Sequence, residues 1–99
     1  MNAKERVAPD TVRLTVEIVN QLGLHARAAA RFVQTASRFS ADVMVTNGEE
    51  TVSGKSILGL MMLAAAQGAQ LSLTATGPDA DEAIDALSGL IADRFHEGA

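Results

Sequence analysis

The chain has 99 residues, 47% apolar and 20% charged, the composition of one globular domain and not of a disordered segment. Eight Lys and Arg against twelve Asp and Glu leave a net charge of −4, which argues against nonspecific nucleic-acid binding. Cysteine is absent, so disulfides, thiolate nucleophiles and cysteine-ligated metal centres are excluded.

Residues 1–10 mix charges, Ala and Pro9 without periodicity and read as a flexible arm. MNAKERVAPD lacks the apolar run of a signal peptide, and no stretch is long and apolar enough to span a bilayer. A cytoplasmic protein without membrane insertion is expected. TVRLTVEIV then alternates, with Val12, Leu14, Val16 and Ile18 on one side and Arg13, Thr15 and Glu17 on the other, as in a strand with one buried face. NQLGLH is a turn-rich link. ARAAARFVQTASRF follows with Ala29, Phe32, Val33 and Ala36 at helical spacing.

SADVMVT is a second strand with Val43 and Val45 inward, and Asn47-Gly48 signals a hairpin into a third strand around Glu50–Ser53. Ser56 is placed to cap a helix running from Ile57 through Leu63. QLSLTAT is a fourth strand with Leu71, Leu73 and Ala75 on one face. After Gly77-Pro78, Asp79 and Glu82 read as a carboxylate capping box for a last helix with Ala83, Ile84, Leu87, Leu90 and Ile91 on one side. The order β-α-β-β-α-β-α predicts an α+β domain: a four-stranded, mainly antiparallel sheet with helices on a single face. The other face, with Thr15, Glu17, Asp42, Ser72 and Thr74, is expected to be wet. The domain is assigned to residues 11–95, with 96–99 a short tail.

Gly23-Leu24-His25-Ala26-Arg27 is the sharpest local feature. His25 falls where loop meets helix. The free amides and the dipole of a first helical turn favour an anion there. A neutral imidazole has a lone pair near pH 7 and is a competent nucleophile for a phosphoryl group. Arg27 suits phosphate oxygens, and Arg31 lies one turn further on the same side. The plainer alternative is a polar cap or an exposed loop histidine. A metal site is poorly supported, since His25 and His96 are the only histidines and lie far apart in sequence. No G-x-S-x-G elbow is present.

Gly54-Lys55-Ser56 resembles the tail of a P-loop, but Glu49 stands where the first glycine is required. The helix after Ser56 is almost wholly apolar: Ile57, Leu58, Leu60, Met61, Met62 and Leu63. A helix on one sheet layer buries one side, so some of these residues must meet solvent or a partner, and Met adapts to varied partners. Burial of both sides is the competing account. Phosphorylation of Ser56 would add about −1.5 to −2 charge beside this patch and so regulate docking, unless Ser56 is an ordinary cap.

GLHARAAA at 23–30 and GKSILGLMML at 54–63, in that order and followed by GPDADEAIDAL, resemble the two signatures of the histidine-containing phosphocarrier (HPr) family of the bacterial phosphotransferase system. The resemblance spans about residues 11–95. It implies an open-faced β-sandwich with strand order 1-4-2-3 and three helices on one side. It also implies a stoichiometric carrier, not an enzyme, in which Nδ1 of His25 accepts phosphate from phosphoenolpyruvate-charged Enzyme I and passes it to an Enzyme II A-type acceptor. Arg27 matches the arginine that assists transfer. Ser56 matches the serine phosphorylated by the ATP-dependent HPr kinase/phosphorylase of some lineages.

One departure is Ala28, where the family commonly has Pro, a residue suited to a first helical turn. HARAA and MMLAA look similar to the nitrogen-related branch, so phosphoryl transfer is more secure than a role in sugar uptake. Partner docking is expected from Leu24, Ala28, Arg31, Ile57, Leu58, Leu60 and Met61. A monomer without cofactor or metal is expected. Two other functions compete: a regulatory binding protein whose phosphorylation state controls a transcription factor, kinase or transporter, and a structural α/β interaction module.

Overall fold

The computed structural model describes residues 3–99. In chain order the elements are β1 (Glu5–Ala8), β2 (Thr11–Glu17), α1 (Ala26–Ala36), β3 (Asp42–Asn47), β4 (Glu50–Ser53), α2 (Ile57–Met62), β5 (Gln70–Thr76) and α3 (Ala80–Ala92), then a short turn of helix at Arg94–His96. Among the described residues the strands form one sheet in the order β1-β2-β5-β3-β4, with every pairing antiparallel. The last four strands of that order are the expected 1-4-2-3 arrangement.

The alternation seen in the sequence decides which face is covered. Val12, Leu14 and Ile18, Val43 and Val45, and Leu71, Leu73 and Ala75 are all buried. They meet Phe32 of α1 and Ile84, Leu87 and Ile91 of α3 in one hydrophobic core. Register aligns these side chains across the sheet: Leu14 faces Leu73 and Val45 faces Leu73 from the other side, so one apolar layer runs through the middle. Ala28, Ala29 and Ala36 are fully buried and let α1 approach closely. On the opposite face Thr15, Glu17 and Asp42 are exposed, and Ser72 and Thr74 are half-buried.

The N-terminal arm departs from expectation. Met1 and Asn2 lie outside the described residues, but Glu5–Ala8 is a fifth strand, with Glu5 opposite Arg13 and Arg6 opposite Val12. It shows no alternation because nearly all of it is exposed on both sides. Charge fixes it instead. Lys4 reaches Asp85 at 2.9 Å and Asp81 at 3.3 Å on α3, Arg6 pairs with Asp81, and Arg13 pairs with Glu5 at 2.7 Å. The 96–99 tail is likewise docked and not free, as described below.

Three smaller corrections have local causes. The two-residue hairpin loop is Gly48-Glu49, because Asn47 pairs with Glu50; Gly48, at φ +64, supplies the positive φ that a type II′ loop needs first. The helix after Ser56 ends at Met62, with Leu63 as its C-cap. Asp79 stands at the N-cap of α3 but makes no side-chain capping bond. Its carboxylate instead accepts from the backbone N–H groups of Ser40 and Ala41, each at 2.8 Å, and so ties α3 to the entrance of β3.

Candidate functional site

The link from β2 to α1 is held at several points. The N–H of Ile18 donates to the carbonyl of Ala69 at 2.9 Å, and that of Gly68 donates back to Ile18 at 2.7 Å. Asn20 is fully buried, and its Nδ2 donates to the carbonyl of Gly23 at 2.8 Å. Gly23 has φ +65, and a Cβ there would lie 2.4 Å from the carbonyl oxygen of Ala65. Only glycine fits that approach. The next residue, Leu24, is buried, and its N–H donates to the same Ala65 carbonyl at 2.9 Å.

His25 follows directly on this anchored segment and is the N-cap of α1, with extended backbone (φ −74°, ψ −179°). Its carbonyl accepts from the N–H of Ala29 at 2.8 Å, closing the first turn. Its Nδ1 accepts from the backbone N–H of Arg27 at 3.3 Å. A ring nitrogen that accepts an amide proton carries no proton itself, so the lone pair of Nδ1 points at the helix amides.

The other ring nitrogen has a partner that sequence reasoning missed. Nε2 contacts Oε2 of Glu97, and Oε1 of the same carboxylate accepts from Nδ2 of Asn20 at 3.0 Å. A carboxylate only accepts, so Nε2 carries the proton. The side chain of Glu97 is 10% exposed and that of His25 28%. Burial pushes the Glu97 carboxyl up, but hydrogen bonds from His25 and Asn20, with the nearby charge of Arg31, outweigh it and hold the group below its ordinary 4.5.

The segment carrying Glu97 is built unusually. Arg94, Phe95 and His96 all lie in the left-handed region, at φ 55, 54 and 63. Phe95 is fully buried, its carbonyl accepts from the guanidinium of Arg31, and the N–H of Gln21 donates to Ala99 at 3.2 Å. A cavity of about 330 Å³ results, lined by Gln21, Leu22, His25, Arg27, Arg31, His96, Glu97 and Ala99. The two histidines that looked remote in sequence therefore line one pocket. Nδ1 of His96, however, pairs with Asp93, and no cluster able to hold a metal ion occurs among the described residues.

The expected docking residues divide. Ile57, Leu58 and Met61 are exposed, with Leu58 at 68%. Leu24, Ala28 and Leu60 are buried at 4% or less and belong to the core; Ala28 and Leu60 present nothing to a partner, and Leu24 offers only the floor of a shallow cleft. Arg31 is half-buried and spent on Phe95. Leu22 (71% exposed) and Met62 (66%) complete the exposed apolar set instead. A shallow cleft of about 290 Å³ lined by Leu22, Leu24, His25, Met61 and Ala64 joins that set to the histidine. Arg27 is exposed on the first turn of α1. Ser56 caps α2, its Oγ accepting from the N–H of Gly59 at 3.0 Å.

Fold and site together define a class: a small α+β carrier domain that presents one histidine at a helix N-terminus, beside an exposed apolar surface. The family profile described as PTS HPr component phosphorylation site matches residues 12–93, and the chain belongs to this HPr family of the phosphotransferase system. The phosphocarrier protein HPr of Neisseria meningitidis serogroup A is 52% identical over 87 residues, covering 88% of this chain and 98% of that protein. The phosphocarrier protein NPr of Shewanella violacea is 43% identical over 84 residues, covering 85% and 92%. The crystal structure of HPr-C-His from Thermoanaerobacter tengcongensis superposes with a TM-score of 0.83 at 49% identity, covering 86% of this chain and 96% of that one.

The chain is thus a phosphoenolpyruvate-dependent phosphocarrier that moves a phosphoryl group by way of a histidine; it is a stoichiometric carrier and not an enzyme. Membership implies Enzyme I and an Enzyme IIA as its partners and places it in the cytoplasm. Among the described residues no helix is long and apolar enough to cross a membrane.

Proposed function

We propose that His25 is the acceptor and that the phosphoryl group bonds to Nδ1. The observation that carries this reading is the unprotonated Nδ1, held over the first turn of α1 by a long 3.3 Å hydrogen bond from the Arg27 amide that attack on phosphorus has to break. In-line attack on the donor phosphohistidine of Enzyme I needs little beyond positioning and charge stabilisation. The α1 amides and dipole supply part of the latter, and the free Arg27 side chain swings in to hold the phosphate oxygens. Leu22, Ile57, Leu58, Met61 and Met62 dock donor and acceptor in turn. One shared apolar surface suits a carrier that has to release each partner quickly. Incubation with Enzyme I and phosphoenolpyruvate, followed by mass spectrometry, tests the assignment. An acid-labile phosphoryl adduct mapping to His25 is expected, and its absence with a competent Enzyme I refutes it.

Ser56 is the regulatory position in this reading. It is half-buried at the edge of the patch, next to exposed Ile57 and Leu58. A phosphate there places about two negative charges where an apolar partner must dock. Ser56→Asp is expected to weaken transfer from Enzyme I, and unchanged kinetics would count against the role. The terminal acceptor is proposed to be an Enzyme II A-type protein of the HPr kind, since the HPr relatives of Neisseria and Pseudomonas aeruginosa reach 52% identity against 43% for the NPr relative.

A further inference from the structure

The proton on Nε2 of His25 faces a carboxylate that is itself aimed. Asn20, buried and bonded to the carbonyl of Gly23, holds Oε1 of Glu97 at 3.0 Å and leaves Oε2 directed at the imidazole. The left-handed turn at Arg94–His96, buried Phe95 and the Arg31 tether bring Glu97 to this point from 72 residues away in sequence. A side chain from a polar C-terminal stretch, almost wholly withdrawn from solvent to meet one ring nitrogen, is more than a surface ion pair.

We propose that Glu97 is a positioning residue for phosphoryl transfer: its carboxylate holds the proton on Nε2, so keeps Nδ1 unprotonated, and stabilises the positive charge the ring acquires when Nδ1 gives up its hydrogen bond from the Arg27 amide and bonds to phosphorus. This rests on His25 being the acceptor. As the Nδ1 lone pair forms the new N–P bond, the N–P bond of the donor breaks and its electron pair returns to the donor nitrogen. No proton is transferred to or from His25; it stays on Nε2. The phosphorylated ring is therefore formally cationic, and a carboxylate on Nε2 opposes that charge where it develops. On delivery the electron pair returns to Nδ1 and the ring is neutral again. Fixing one imidazole nitrogen through a partner on the other is a general way of setting both orientation and basicity.

Two measurements test this on the full chain. In the unphosphorylated wild type, nitrogen and proton NMR of His25 are expected to show a protonated, hydrogen-bonded Nε2 and an unprotonated Nδ1. A proton on Nδ1 would overturn the proposal with no variant needed. In the second, Glu97→Gln and Glu97→Ala are compared with wild type in phosphorylation by charged Enzyme I. A carboxylate that acts through the ring predicts a kcat loss of about tenfold in both, with KM little changed because the apolar docking surface is untouched. It also predicts that Glu97→Gln suffers although it keeps an acceptor atom, since the charge is gone. Both variants transferring at wild-type kcat, with the phosphate still mapped to His25, would defeat the role of Glu97 alone. A phosphate mapped elsewhere would defeat the assignment of His25 and this proposal together.

Discussion

Gly23 sets the position of His25, and replacing it with alanine gives a measurable steric test. Its φ of +65 carries a strain of about 1 kcal/mol for any residue with a Cβ. The added carbon would also lie 2.4 Å from the Ala65 oxygen and 3.0 Å from the Ala66 Cα, both main-chain atoms that cannot rotate aside. Relief requires the loop to lift, which breaks the 2.9 Å bond from Leu24 to Ala65 and draws Leu24 out of the core. These effects sum to about 3 kcal/mol. At about 4–8 °C per kcal/mol for a domain of this size, Tm should fall by about 15 °C. Gly68→Ala is the control. Gly68 has φ +92 at the third position of a turn closed by the N–H of Ala69 to Ala66, and a Cβ there meets nothing within 4 Å. It should cost only the strain, about 1 kcal/mol. Urea and thermal unfolding measure both. Enzyme I-dependent transfer should fall at least about tenfold in Gly23→Ala, because His25 is displaced from the helix axis, and stay near wild type in Gly68→Ala. Equal destabilisation by the two substitutions would show that the Ala65 contact does not fix the loop.

Leu58→Asp, at an exposed position of the apolar patch, should raise KM for Enzyme I about tenfold while changing stability by less than about 0.5 kcal/mol; an unchanged KM would remove Leu58 from the docking surface. Asp81→Asn removes the charge that Lys4 and Arg6 share on α3, which should leave global stability nearly unchanged, as for exposed ion pairs, yet speed hydrogen exchange at Glu5–Ala8. The Asp79 carboxyl is held below its ordinary 3.8, chiefly by the Ser40 amide; burial opposes this, and the Ala41 amide adds a smaller lowering that keeps the net shift downward. The unfolded chain therefore binds its proton more readily, so the stabilisation is complete above 3.8 and is lost as pH falls through the lower folded value. Asp79→Asn should flatten the acid limb of stability against pH in urea titrations run from neutral into acid, leaving only the part due to other depressed carboxyls such as Asp81 and Glu97.

What the sequence made legible follows from burial. Strands β2, β3 and β5 each bury one face of a covered sheet, so their apolar residues alternate and their limits could be read closely. The same holds for α3, whose expected stripe is buried in full. Strand β1 buries almost nothing and is placed by ion pairs to α3 some 75 residues away, so no local pattern announced it. The expected docking set took in buried residues for a related reason. Leu24, Ala28 and Leu60 are apolar residues beside a candidate site, and nothing in one dimension tells an inward from an outward side chain over so short a run. Asp79 had capping chemistry at a capping position, yet the amides of Ser40 and Ala41, invisible to local pattern, took its oxygens. Glu97 had one usable clue. Phe95 is a lone large apolar residue in a polar stretch after α3, and such a residue tends to dock, carrying its neighbours with it.

The left-handed turn explains why that docking matters to the site. Three consecutive non-glycine residues in this conformation cost about 1–2 kcal/mol each, so Arg94–His96 stores about 3–6 kcal/mol. Burying Phe95 returns about 2–3 kcal/mol. The balance must come from the polar contacts of the strap, and those are charge-assisted bonds of about 1.5–3 kcal/mol each, from Arg31 to the Phe95 carbonyl and from His25 and Asn20 to Glu97. Hydrophobic burial alone therefore falls short of the strain by up to about 4 kcal/mol, and the segment's hold on the domain depends on the same contacts that orient the imidazole. The strap at Arg94–Glu97 and the proposed phosphoryl site are one thermodynamic unit: whatever changes the charge on His25 also changes the grip on the segment that carries Glu97.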